Sequence, residues 1–261
     1  MAVTNFIQQI WSKKIQDDLE LKCKLVDNCL RDYEGDCKYA QSVKILGVGE
    51  PTIGAYDGTQ DITIEDMSDK GQILTIDQAN YFAFYVDDID QAQSVPGLKE
   101  KYQEKAVHGL AVARDTYVAT LIQGATNKTN VTMTEEGFKK GIDEAIVALR
   151  ERNFDEDGVI EITPAAYNLF KNHLITLSTN NPELIRKGVV GVYDQFDVIM
   201  SNNLKTPGCV RGKKAIAFAG QINEVEALRA EKRFKDIVRG LDTFGAKVID
   251  ENRIQVLIAN A

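Results

Sequence analysis

The stretch KILGVGEPTIGAYDG, residues 44–58, holds four glycines, with Gly47 and Gly49 spaced as in a dinucleotide-binding loop. A phosphate-cradling loop needs a following helix whose first amides point at the anion. Here Glu50 and Pro51 follow Gly49, strand-like sequence continues, and no Lys-Ser/Thr pair appears. The glycines therefore read as bends or bulges in an exposed, twisted ribbon rather than as a nucleotide site.

Downstream, TIGAYDGTQDITIE (52–65) alternates, with Ile62 and Ile64 on one face. ILTIDQANYFAFYV (73–86) mixes β-branched and aromatic residues and alternates for much of its length. Polar, turn-rich DMSDKGQ (66–72) lies between them. Together these predict a long β-hairpin over residues 43–86, with Lys70 at its tip. Such a hairpin, with few large apolar residues in its first arm, must lie against something else.

Upstream, residues 4–22 predict an amphipathic helix: Thr4 caps it, and Phe6, Ile7, Ile10, Trp11, Ile15 and Leu19 recur at helical spacing. That stripe packs on its own domain or reaches another subunit. Beyond the hairpin, Pro96 opens a helix from Gly97 to Gly124, about 40 Å long. Its expected apolar face is Leu98, Tyr102, Ala106, Leu110, Ala113, Tyr117 and Leu121. The acidic VDDID (86–90) caps the approach to it. Residues 125–214 then alternate helix and strand. Thr134 starts a helix with Glu135 and Glu136 in its first turn, GVIEIT is a strand, Thr163-Pro164 opens another helix, and FDVIMSNN is a strand. From Ala215 onward the chain is strand-rich again.

The totals narrow the function. With 261 residues, 44% of them hydrophobic, the chain can bury one large core or two modest ones. A net charge of −8 argues against a protein whose task is gripping phosphate backbones. No run approaches the roughly 18 apolar residues of a membrane span, and the first residues lack a signal-peptide pattern. Cys23, Cys29, Cys37 and Cys209 are not spaced as metal ligands and read as buried or idle thiols. His108 and His173 have no nucleophile motif beside them. NFDEDGVIE (153–161) opens like a calcium loop, but Pro164 stands where the closing bidentate Glu belongs, so it reads as a solvated turn. No catalytic, cofactor-binding or metal-ligating set emerges, which favours a binding or structural protein.

Four longer segments carry a resemblance: NCLRDYEGDCKYAQSVKI (28–45), LTIDQANYFAFYVDDIDQAQ (74–93), RKGVVGVYDQFDVIMSNNL (186–204) and VEALRAEKRFKDIVRGLDTFGAKVIDENRIQVL (225–257). In content and order the chain resembles the major capsid (coat) proteins of tailed bacteriophages. The resemblance implies an α+β, Hong Kong 97-like capsid fold. Its parts would be an N-terminal arm (1–42), an extended β-hairpin loop (43–86), a peripheral domain with a long spine helix (87–125 and 215–261), and an axial α/β domain (126–214). The implied function is self-assembly, through hexamers and pentamers, into an icosahedral shell enclosing double-stranded DNA. Arm and hairpin would lie across neighbouring subunits, making Trp11, Ile15, Gly47, Gly49, Gly54, Tyr56, Ile64 and Lys70 the subunit-contact candidates.

The implied partners are copies of the chain itself, a separate scaffolding protein, a portal, and DNA held without sequence-specific binding. No cofactor, metal or membrane is implied. The implied location is the virion capsid, assembled in the bacterial host cytoplasm. The chain reaches its arm within a few residues of Met1, so a fused scaffolding segment is not expected. Some family members crosslink subunits through a Lys–Asn bond; here Lys70 reads as a solubilising tip residue. The rival readings are an encapsulin-like nanocompartment shell, which would carry a protein cargo, and a soluble α/β enzyme.

Overall fold

The computed structural model describes residues 23–34, 42–45, 71–87, 98–177, 191–229 and 235–260. The described residues form a six-stranded sheet, a three-stranded sheet and a two-stranded ribbon, with one long helix between the two larger sheets and residues 23–34 at their junction.

The larger sheet has six strands: β4 (Lys128–Val131), β5 (Gly158–Ile162), β6 (Val192–Tyr193), β7 (Phe196–Met200), β8 (Gly208–Gly212) and β11 (Ile254–Ala259), in the order β4-β11-β8-β5-β7-β6. Pairing is parallel for β4/β11 and β5/β7 and antiparallel elsewhere. The two central strands, β5 and β8, are buried along their whole length. One face of the sheet is covered by α2 (Glu135–Arg150) and α3 (Pro164–Leu177), through Phe138, Ile142, Ile146, Leu149 and Phe170. Thr134 caps α2 as its sequence predicts, its hydroxyl accepting from the Gly137 amide at 3.1 Å. Strand β11 comes from the end of the chain, yet lies inside a sheet otherwise built from residues 128–212.

The second sheet is antiparallel and three-stranded: β3 (Gln78–Asp87), β10 (Lys235–Val248) and β9 (Ile216–Arg229), in the order β3-β10-β9. Pairing with β9 shifts register between Leu241 and Asp242, a bulge in the long pair. The helix α1, Leu98–Gly124, packs on one face, meeting Phe82, Phe218 and Phe244. The T-shaped Tyr117–Phe244 contact has a centroid separation of 5.6 Å.

Two expectations are corrected. Ile73–Val86 is not one hairpin arm. It breaks at Ile76–Asp77 into β2 (Gln72–Thr75), which pairs antiparallel with β1 (Ser42–Ile45), and β3, which pairs with β10. The longer half pairs where an edge of matching length is offered, and β10 gives it ten register partners, while one face of β3 keeps Tyr81 and Tyr85 in solvent. The buried stripe of α1 is also turned from the expected one: it runs through Val107, Leu110, Ala111, Arg114, Asp115, Val118, Ala119 and Ile122. Tyr102 is exposed, and Ala113, Tyr117 and Leu121 flank the stripe. Arg114 and Asp115 hide it from a hydrophobic-periodicity reading.

Candidate assembly interface

Arg114 and Asp115 are buried because each has a built partner. Arg114 makes a two-pronged ion pair with Asp242 of β10, its Nε donating at 3.0 Å, and its guanidinium lies over the rings of Phe218 and Phe244 at 5.6 and 5.8 Å. This joins α1 to the three-stranded sheet through its middle strand. Asp115 faces the N-terminal segment. Its carboxylate accepts from the backbone amides of Lys24 and Leu25 at 3.1 Å and of Val26 at 3.3 Å, and from the Asn203 side chain at 3.4 Å.

On the opposite side of that segment stands Arg211 of β8. It donates to both oxygens of Glu161 on β5, at 3.0 and 2.7 Å, to the Leu25 carbonyl at 3.0 Å and to the Asn28 carbonyl at 2.7 Å. Both side chains of this ion pair are fully buried. Residues 24–28 thus lie between an anion that collects their amides and a cation that collects their carbonyls. Leu30 then bridges β9, with bonds to Ile216 and Phe218. A single turn at Val26–Asn28 is too short to hold itself, so the tertiary charges supply what a helix would have supplied.

Burial sets the electrostatics. It pushes the Glu161 carboxyl up, with Arg211 opposing, and it pushes Asp115 up, with the three amide bonds opposing. Glu161 in turn holds Arg211 firmly protonated. Cys23, Cys29 and Cys209 are buried free thiols around this junction. Burial raises Cys23 to about 12 and Cys29 to about 11, and it raises Cys209 further. These are poor nucleophiles and poor ligands.

The β1–β2 ribbon lies across the other face of the three-stranded sheet. Val43, Ile45 and Leu74 bury against Ala217 and Ala219 of β9, with Tyr33, Ile76 and Ile249 at the margin. Since Ile45 pairs with Gln72, the chain from 46 to 71 is one closed excursion rooted in this ribbon. Further along the same face, Tyr81, Tyr85 and Leu241 stand in solvent, Tyr81 at 79% exposure. At the far edge of the six-stranded sheet, β6 and β7 form a hairpin whose turn residues Asp194 and Gln195 have φ of 49° and 72°. It is tied to α2 by Tyr193 Oη donating to Asp143 at 2.7 Å and by the Arg150–Asp194 ion pair at 3.0 Å. Its Val192 is 64% exposed.

All eight sequence-derived contact candidates, Trp11, Ile15, Gly47, Gly49, Gly54, Tyr56, Ile64 and Lys70, lie outside the described residues, as does Cys37. The acidic turn at Asn153–Glu161 is engaged by cations of the protein: Glu156 meets Arg253 at 2.6 Å and Lys214 at 3.9 Å. Among the described residues no cluster of His, Cys, Asp or Glu is arranged to hold a metal, and no helix is long and apolar enough to cross a membrane. The Asp115 and Glu161–Arg211 junction was missed from sequence. Its one visible signal is a charged residue inside each of two short apolar runs, GVIEIT and GCVRG.

No protein-family model and no curated protein matches the sequence. Solved structures do. A structure of Mycobacterium phage Che8 is 25% identical, covers 90% of each chain and superposes with a TM-score of 0.75. The capsid structure of the cyanophage P-SCSP1u is 15% identical, covering 89% of this chain and 86% of that one, at 0.73. A virus-like particle from Pyrococcus furiosus is 14% identical, covering 96% and 99%, at 0.59. With a spine helix between two sheets and a ribbon rooted beside them, the chain has the Hong Kong 97-like fold of tailed-phage major capsid proteins.

Proposed function

We propose that the chain is the major capsid protein of a tailed phage, which self-assembles into the icosahedral head shell enclosing double-stranded DNA. The observation that carries this is the superposition over nine-tenths of both chains on the Che8 phage structure. Residues 1–42 act as the arm, 43–86 as the extended loop, anchored by β3 in the three-stranded sheet, 87–125 with 215–261 as the peripheral domain, which lends β11 to the six-stranded sheet, and 126–214 as the axial domain. Trp11 and Ile15 of the arm, and Gly47, Gly49, Gly54, Tyr56, Ile64 and Lys70 of the loop, contact neighbouring subunits. Each contact is modest, and closure of the shell multiplies them. Scaffolding protein, portal and packaged DNA are the partners, and assembly takes place in the host cytoplasm. A net charge of −8 suits a wall that must not adhere to its DNA.

The Pyrococcus likeness favours one second reading, an encapsulin-like shell around a protein cargo. The experiment is to purify particles made alongside the neighbouring genes and analyse what they hold. Nuclease-protected DNA together with a portal supports the phage head. A single enclosed enzyme with no DNA supports the compartment, and absence of particles under all conditions overturns both.

A further inference from the structure

We propose that Gly245 is the pivot on which the β1–β2 ribbon crosses β10, and that this crossing fixes the direction in which residues 46–71 leave the subunit. The proposal rests on the shell reading above.

Layers of strands packed through side chains stand about 10 Å apart. At Gly245 the spacing collapses to backbone contact. A Cβ there would lie 2.1 Å from the Thr75 carbonyl oxygen, 2.9 Å from its carbon and 3.0 Å from Ile76 Cα. These are backbone atoms, so no rotamer change relieves the clash. The floor beside it is made of small residues as well: Ala219, the register partner of Gly245, and Ala217, the partner of Lys247. Two hydrogen bonds flank the crossing. Lys247 Nζ donates to the Ile73 carbonyl at 2.9 Å, and Gln72 Nε2 donates to the Ile249 carbonyl at 3.0 Å.

Pivot and both flanking bonds therefore refer the ribbon to one short stretch, residues 245–249. Three residues before the pivot, Asp242 ties that strand to Arg114 of α1. A path of backbone contact and buried charge thus runs from the ribbon to the long helix. Because Ile45 and Gln72 are paired, the excursion 46–71 starts and ends on this ribbon, and tilting the ribbon re-aims it. Because Gln72 pairs with Ile45, Lys70 stands beside the root and not at the tip expected from sequence, and the midpoint of the excursion falls at Gly58–Thr59. Each half spans at most about 45 Å when extended, so a displacement of about 1 Å at the root becomes a few Å at Thr59.

The test uses the full chain, made alongside the neighbouring genes, with Cys37→Ser and spin labels on Thr59→Cys and Val192→Cys, leaving the buried cysteines in place. Distance distributions and particle diameters are compared for three forms: this background, Gly245→Ala, and Lys247→Met. Gly245→Ala should shift the mean label distance by a few Å and abolish particles of the parental diameter. Lys247→Met, which adds no bulk at the crossing, should broaden the distribution without moving its mean. Superimposable distributions and equal diameters for Gly245→Ala would overturn the pivot. Should Gly245→Ala not fold, Lys247→Met combined with Gln72→Ala carries the test, and an unchanged distribution width overturns it. If the background forms no particle even alongside the neighbouring genes, the shell reading fails, while the distance measurement still decides the pivot.

Discussion

Replacing Arg211 by Met removes a guanidinium that satisfies both oxygens of a fully buried Glu161 and two backbone carbonyls of the N-terminal segment. Breaking a buried pair from one side costs about 3–5 kcal/mol. The two orphaned carbonyls add about 1 kcal/mol each, partly overlapping with that figure. A loss of about 5 kcal/mol is therefore expected, comparable with the whole stability of many domains, about 5–15 kcal/mol. The loss has a pH signature. Burial already raises the Glu161 carboxyl above its ordinary value of 4.5, and Arg211 opposes that rise. Without the cation the native state binds this proton more tightly than the unfolded state does. The deficit against wild type is then largest above the raised native value and shrinks as pH falls towards 4.5. The assay is urea unfolding of the unassembled subunit at pH 5 and pH 8, with Glu161→Leu/Arg211→Met as the paired control. That control should recover most of the loss, because an apolar pair of similar volume leaves no buried charge. A single-variant loss under about 1 kcal/mol, equal deficits at both pH values, or a control as unstable as the single variant would each refute the reasoning.

Asp115→Asn has one acceptor oxygen where four donors now converge, so amide exchange at Lys24, Leu25 and Val26 should accelerate at least tenfold; unchanged protection there contradicts the clamp. Gly158→Ala would place its methyl 2.2 Å from the Phe196 ring, which is stacked on Phe154, and should lower stability by about 1–3 kcal/mol in thermal melts. Thr134→Ala removes the cap of α2 and should cost about 1 kcal/mol, with Thr134→Ser recovering it. Cys23 and Cys29 should resist alkylation at pH 7.5 in the native protein and react quickly in denaturant; rapid native labelling would contradict their burial.

How far the fold was legible depends on which force placed each element. Helices α1, α2 and α3 were readable because local signals coincide: Pro164 and the Thr134 and Thr163 caps mark starts, and period-3.6 residues mark faces. The burial of α1 was misread because Arg114 and Asp115 occupy its innermost turn, where tertiary ion pairing overrides hydrophobicity. The break at Ile76–Asp77 was invisible because both halves of 73–86 have strand chemistry, and only the competing edge of β10 decides their partners. Strands β4 and β8 went unread for related reasons. KTNV is polar and sits at an edge, and GCVRG is framed by glycines and carries an arginine whose counter-ion is 50 residues away. A Cβ at Gly212 would lie 2.7 Å from the Phe154 ring, and one at Gly208 would lie 3.1 Å from both the Glu161 carbonyl oxygen and Leu257 Cδ1, so neither position has room to spare. The Gly245 crossing belongs to the same class, since nothing local distinguishes a glycine in a strand from a glycine under one.

The most direct test of the central claim is cryo-electron microscopy of the purified protein over a concentration series, with and without its neighbouring genes. The account predicts closed shells, or free rings of five and six. In their maps the six-stranded sheets surround the ring axes, and residues 46–71 of each subunit cross onto a neighbour. A particle-free monomer or dimer under every condition, or a lattice in which those residues touch only their own subunit, would contradict it.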